Sequence, residues 1–232
     1  MFRPGLRASL PRCRNRLLCV LNIFAYYAFQ FLEHRILYIK INIEIYTVFV
    51  ILEIRMLKAQ DIVAALAVRL LPQVWTYHGL SNLTGISVSQ CHSSCKRLRE
   101  IGLLHDGVMN SWQVPSAQLT EFLVHGLRYV FPAQVGESTR GIPTAHSAPF
   151  VAEAFVVDAG APALVWPTID GEVRGNRLKP LHDCQLRCIA KSGSDRIYRA
   201  LVCIDLLRVG QARERAWATT ILESLLSDAK PS

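Results

Sequence analysis

Ser87-Val-Ser-Gln-Cys-His-Ser-Ser-Cys-Lys-Arg-Leu-Arg-Glu100 is the stretch whose reading decides the fold. Its opening Ser-x-x-Gln has the form of a capping box, in which hydroxyl and amide satisfy each other's backbone N–H groups at the start of a helix. Gly102 closes that helix at about Glu100. Val88, Cys91, Cys95 and Leu98 fall three, four and three residues apart, so they make one inward stripe. Ser89, Gln90, His92, Ser93, Lys96, Arg97 and Arg99 are left on other faces. Short polar side chains near a helix N-terminus suit base edges, later basic ones suit phosphates, and the positive end of the helix dipole favours a phosphate at the start.

The flanking sequence supplies the partners such a helix needs. Upstream, residues 58–71 are strong helix formers with Ile62, Leu66 and Leu70 four residues apart, and Pro72 ends the run. Thr76 is placed to cap a short second helix that runs through Leu83 and stops at the Gly85 turn. Helix, tight glycine turn and capped helix is the helix-turn-helix order. Downstream, residues 103–105 and 112–114 form two short strands joined by a turn around Asp106 to Asn110, and Pro115 ends the second. Ser116 then caps a fourth helix, 117–130, with Leu119, Phe122, Leu123, Gly126, Leu127 and Val130 on one face.

Residues 80–104, ending in Lys96-Arg-Leu98 and Gly102-Leu-Leu104, resemble the helix-turn-helix core of MarR-type winged-helix regulators, and the likeness extends over about 58–130. It implies binding of double-stranded DNA through helix 88–100 and the wing 103–114, usually as a homodimer. Ser87, Ser89, Gln90, His92, Ser93, Lys96, Arg97 and Asn110 are the residues expected at the DNA. One departure is plain: such regulators build the dimer from long flanking helices, whereas a Pro- and Gly-rich stretch follows here. Residues 132–149 resemble, loosely, the segment after the winged helix in uncharacterised bacterial regulators, which carries no activity with it.

Of the 232 residues, 51% are hydrophobic and 19% charged, as in a globular protein. The net charge of +8 is unevenly spread. Residues 1–55 hold eight basic residues against three acidic ones, and the remainder eighteen against fifteen, so overall basicity adds little to the case for nucleic acid. The first 55 residues are rich in Ile, Phe, Tyr and Asn, and the composition changes at Met56. This hydrophobic leader is read as translated upstream DNA with initiation at Met56. A membrane anchor through Leu17 to Leu32 and a segment integrated into the fold are the alternatives. Between Ile39 and Ile45 apolar and polar residues alternate, which fits a strand.

Seven cysteines, an odd number in a chain of this length, read as reduced thiols in a cytoplasmic protein. Cys91 and Cys95 are read as core packing, with metal or redox sensing as the rival, and His182-x-Cys184-x-x-x-Cys188 lacks an evident fourth ligand. No metal or other cofactor is expected. Residues 132–191 read as a loop-rich connector in which Arg140, His146, Trp166 and Arg174 are candidates to line a ligand pocket. Ser194 caps a C-terminal helical pair over 192–232. Ile197, Leu201, Ile204 and Leu207 or Arg208 form the face of its first helix and Trp217, Ile221 and Leu225 that of its second, which pack on a sister subunit or back on the winged helix. Arg208, Arg213 and Arg215 cluster at the junction, where they read as a solvated basic patch or a phosphate site.

The expected fold is thus mainly α with a small β wing: a winged helix-turn-helix domain over 56–131, a loop-rich segment over 132–191 and a C-terminal helical pair. The chain holds no Gly-rich phosphate loop, nucleophile elbow or H-E-x-x-H motif. The expected function is therefore that of a transcriptional regulator, a repressor, rather than an enzyme. The alternative is a protein-interaction module, such as an antitoxin-like partner of a neighbouring gene product.

Overall fold

In the computed structural model each early helix begins and ends where its punctuating residues dictate; the structure describes residues 56–71, 76–107, 111–155 and 162–227, together with Lys40 and Glu44. Helix α1 (Ala59–Leu70) is anchored by Asp61, whose carboxylate accepts the Lys58 N–H at 2.8 Å. Ten of its twelve residues are buried, because alanines between the large side chains let neighbours approach on every side. Helices α2 (Tyr77–Thr84) and α3 (Val88–Glu100) follow. Thr76 Oγ1 accepts the Gly79 N–H at 3.0 Å, and the left-handed turn at Gly85 (φ 70°) needs a residue without a Cβ. Beyond α3, β1 (His105–Asp106) and β2 (Trp112–Gln113) pair antiparallel, His105 opposite Gln113 and Asp106 opposite Trp112.

The next helix differs in detail from the sequence reading. Pro115, not Ser116, holds the cap position, and Ser116 is already helical. α4 (Ser116–Glu121) widens into a π-helical turn over Phe122–Gly126 before α5 (Leu127–Val130). Leu119, Leu123 and Leu127 are fully buried, whereas Val130, expected on the same face, is turned out to solvent.

Residues 132–191 are not a loop-rich connector. Strands β3 (Val135–Pro143), β4 (Leu164–Pro167) and β5 (Val173–Leu178) curl into a small closed sheet, with β3 antiparallel to both others and β4 parallel to β5. Glycines that read as loop are what closure demands: a Cβ at Gly141 would lie 1.9 Å from the Trp166 carbonyl oxygen, and one at Gly175 would lie 2.3 Å from that of Ala163. The short helices α6 (Pro149–Ala152) and α7 (Cys184–Ser192) complete this stretch.

Helices α8 (Asp195–Val209) and α9 (Ala212–Ser227) lie where the apolar periodicity placed them. Ser194 occupies the cap position of α8 but its side chain makes no capping bond. In α9 the fully buried line is Ala218, Leu222 and Leu226, one position round from the expected Trp217, Ile221 and Leu225, which are half-buried. Both helices turn their apolar faces onto this chain's own core, so of the two destinations foreseen for them the intramolecular one is realised. The final carbonyls of α9 would be orphans. Arg69 of α1 donates through Nε to the Leu226 carbonyl at 2.8 Å, and Arg196 of α8 donates to that of Leu225 at 3.0 Å.

A buried carboxylate joins the small sheet to α8. Asp205 accepts from Thr144 Oγ1 (2.9 Å), Trp166 Nε1 (2.6 Å) and Arg208 Nη1 (2.8 Å). Arg208 also donates to the carbonyls of Phe131 and Pro132. Among the described residues the fold is therefore mainly helical with two small sheets, and residues 56–232 form one compact unit whose core draws on all three segments. Met1–Arg55 form a separate unit. Within it Lys40 and Glu44 are helical and exposed, not in the strand that the alternation suggested; their spacing sets both on one helical face. The rest of the leader lies outside the described residues. Among the described residues no helix is long and apolar enough to cross a membrane.

Candidate nucleic-acid interface

The outer face of α3 carries Ser89, Gln90, His92, Ser93 and Lys96, all exposed, with Ser87 exposed at its cap. The capping box is closed: Ser87 Oγ accepts the Gln90 N–H at 3.2 Å and Gln90 Oε1 accepts the Ser87 N–H at 3.1 Å. The Gln90 carbonyl is thereby committed to the helix start, which leaves its amide N–H₂ as the group to offer a ligand. Ser93 donates its hydroxyl to the Ser89 carbonyl at 3.0 Å and keeps only acceptor capacity. The side chains of Ser89 and Lys96 make no hydrogen bond among the described residues. His92 lies against the Tyr77 ring, 5.1 Å between centroids, and Tyr77 lies 4.8 Å from Trp112. An aromatic run thus joins α3, the first turn of α2 and β2. Tyr77 was not among the expected site residues; the signal for it is an aromatic directly after the Thr76 cap.

Arg97 requires a correction. It is buried, not at the surface, and grips Asp61 of α1 with Nε and Nη2, each at 2.7 Å. Ser94 Oγ accepts from Arg97 (3.3 Å) and from Gln60 (3.2 Å), so a polar seam runs between α1 and α3. The physical reason is that α3 is covered along two lines. Cys91, Cys95 and Leu98 face one neighbour set, and Ser94 with Arg97 faces α1. Arg97 is committed to Asp61 and turned away from the exposed face of α3. Arg99 remains half-exposed and binds Asp106 through Nε and Nη2 at 3.1 and 2.6 Å, tying the end of α3 to β1. Asn110, expected at the wing, lies outside the described residues.

The other candidates disperse. Trp166 is buried on Asp205, His146 Nε2 lies 3.3 Å from the Pro162 carbonyl, and Arg140 and Arg174 face each other across β3 and β5. The arginines at the α8–α9 junction separate too. Arg208 is held by Asp205, Arg213 stacks 5.3 Å from the Phe155 ring centre, and Arg215 donates to the Gly210 carbonyl at 2.6 Å.

Cys91, Cys95, Cys184, Cys188 and Cys203 are free and buried. Burial pushes the Cys95, Cys184 and Cys203 thiols up to about 12 and Cys188 up to about 11, and it raises Cys91 as well. No group of three or more His, Cys, Asp or Glu among the described residues is arranged to hold a metal ion. The thiolate is the nucleophile, so these five thiols should resist iodoacetamide at about pH 8 in the folded protein and label fully in denaturant. Peptide mass spectrometry reads the pattern; fast native labelling at Cys91 or Cys95 would mean an accessible, reactive pair.

Comparison with protein-family models, with curated proteins and with solved structures finds no match.

Proposed function

We propose that residues 56–131 act as a winged helix-turn-helix that binds double-stranded DNA, with α3 in the major groove and the β1–β2 hairpin as its wing, and that the protein is a transcriptional regulator. One observation carries this reading: the exposed face of α3 runs Ser89, His92, Ser93 and Lys96 with its only carboxylate, Glu100, at the far end, behind a capped N-terminus. With the Ser89 hydroxyl, the His92 imidazole and the Lys96 ammonium outward, and the Ser93 hydroxyl proton already given to the Ser89 carbonyl, this face suits a groove that presents acceptors and phosphates. The hairpin at its C-terminal end, tied on by Arg99 and Asp106, suits the adjoining backbone. A second copy on a related half-site belongs to the same reading. Because α8 and α9 face inward, the contact between copies would use another surface.

Selection from a random duplex pool, followed by binding measurements on the enriched sequence, tests it. His92→Ala should cost about 1–3 kcal/mol on that sequence and relax its preference. Lys96→Ala should weaken all sequences alike and flatten the salt dependence by about one unit of slope. If the full chain retains no duplex at any salt concentration, the winged helix serves a protein partner instead.

A further inference from the structure

Helix α7 has no counterpart in the three-helix unit it touches. Cys184, Gln185 and Cys188 bury one side of it against that unit, and it packs on α1 and α2. Two basic residues on its open side are set against α2 and the turn into α3. Lys191 Nζ donates to the Asn82 carbonyl in the last turn of α2 at 2.7 Å. The Arg187 side chain crosses the Gly85 turn so closely that a Cβ on Gly85 would lie 2.9 Å from its Cδ and Nε. Arg187 is exposed, and its guanidinium makes no hydrogen bond or ion pair among the described residues. Asp183, one helical turn earlier and exposed, forms no ion pair with it.

Gly85 stands two residues before the Ser87 cap of α3. Arg187 therefore lies beside the end of α3 at which a helix enters a groove. The phosphates bordering a major groove run past that edge, because the groove is only about 12 Å wide and a helix nearly fills it. An arginine lying there over a backbone without a side chain presents a planar fork of donors suited to a phosphate.

We propose that α7 extends the DNA-contacting surface, with Arg187 binding a backbone phosphate next to the N-terminus of α3 and Lys191 holding the helix in place on α2. This rests on the reading of α3 as a groove-binding helix. It assigns a nucleic-acid role to the segment between the small sheet and the C-terminal pair.

The test uses the full chain and a fluorescein-labelled mixed-sequence duplex of about two helical turns, roughly 20 base pairs, titrated between about 50 and 200 mM salt. Arg187→Ala should reduce the slope of log affinity against log salt by about 0.9, the value of one phosphate contact. Arg187→Glu should weaken binding tenfold or more at the lowest salt, and Arg187→Lys should keep most of the slope. Sequence preference on a selected duplex should not change in any of them. If Lys96→Ala lowers the slope while the three Arg187 variants bind as the parent does, α7 is only a structural brace and the reading of α3 stands. If all three Arg187 variants weaken binding equally while their thermal unfolding shifts together, the residue acts through the fold and the proposal fails. If the parent protein binds no duplex at the lowest salt, both readings fall.

Discussion

Asp61→Ala is expected to destabilise the protein by about 3–5 kcal/mol, because removing one partner of a buried ion pair leaves the other charge uncompensated. Arg97 would be stranded between α1 and α3 with only Ser94 Oγ to receive its donors, and the Lys58 N–H at the start of α1 would lose its acceptor. Chemical denaturation should report a lower midpoint with little change in slope. The informative control is Asp61→Leu with Arg97→Met: replacing the pair by apolar groups of similar volume is often near neutral, so the double variant should recover most of the loss. If Asp61→Ala alone costs less than about 1 kcal/mol, the usual range of a surface pair, the seam is solvated. Because Arg97 is in this seam, its mutation should affect the proposed DNA binding only through loss of folded protein.

A comparable loss, again about 3–5 kcal/mol, is expected from Asp205→Ala, which would leave the Arg208 guanidinium, the Trp166 indole N–H and the Thr144 hydroxyl without their shared acceptor. Thr144 precedes Ala145, the one non-glycine residue with positive φ among those described (50°), so the same carboxylate helps to hold a strained backbone. Burial raises the Asp205 pKa, opposed chiefly by Arg208. The folded state thus binds this proton more tightly than the unfolded chain. The carboxyl's contribution is greatest at low pH and declines as pH rises from the ordinary carboxylate range through the raised value. Asp205→Asn should abolish that component of the pH dependence of unfolding while costing less than alanine, since one acceptor remains. A stability profile identical in slope for parent and Asn variant would contradict it.

The early helices were legible in the sequence because their signals are local. Thr76, Gly85, the Ser87–Gln90 box and Gly102 each act within four residues of themselves, and the structure uses every one. Arg97 was misplaced because an arginine at that position is buried only if α1 carries an acid to meet it, a pairing 36 residues away along the chain. The small sheet was missed for the opposite reason. Its strands are short and glycine-bearing, and the glycines serve contacts between backbones that no local pattern encodes. Gln90 and Ser93 are expected at the DNA from their chemistry; the capping box that commits the Gln90 carbonyl is written in the Ser-x-x-Gln spacing, whereas the bond from Ser93 to the Ser89 carbonyl depends on a rotamer that spacing does not fix. His92 and Lys96 keep the exposure expected of them, and Tyr77 joins them through its stacking on His92 and Trp112.

The bond from Arg69 to the Leu226 carbonyl spans 157 positions of sequence. It also fixes an order of events during synthesis. Helix α1 is made early and is met first by α2 and α3, yet the carbonyl that satisfies its arginine arrives with the last helix. On the ribosome the part of α1 that α7, α8 and α9 cover therefore stays open until those helices have emerged. A fold closed by its most distant segments has high contact order and folds slowly for its size, since the entropy of a long loop is lost before the contacts that repay it form. Residues 56–131 released alone would keep exposed the part of α1 that α7, α8 and α9 cover.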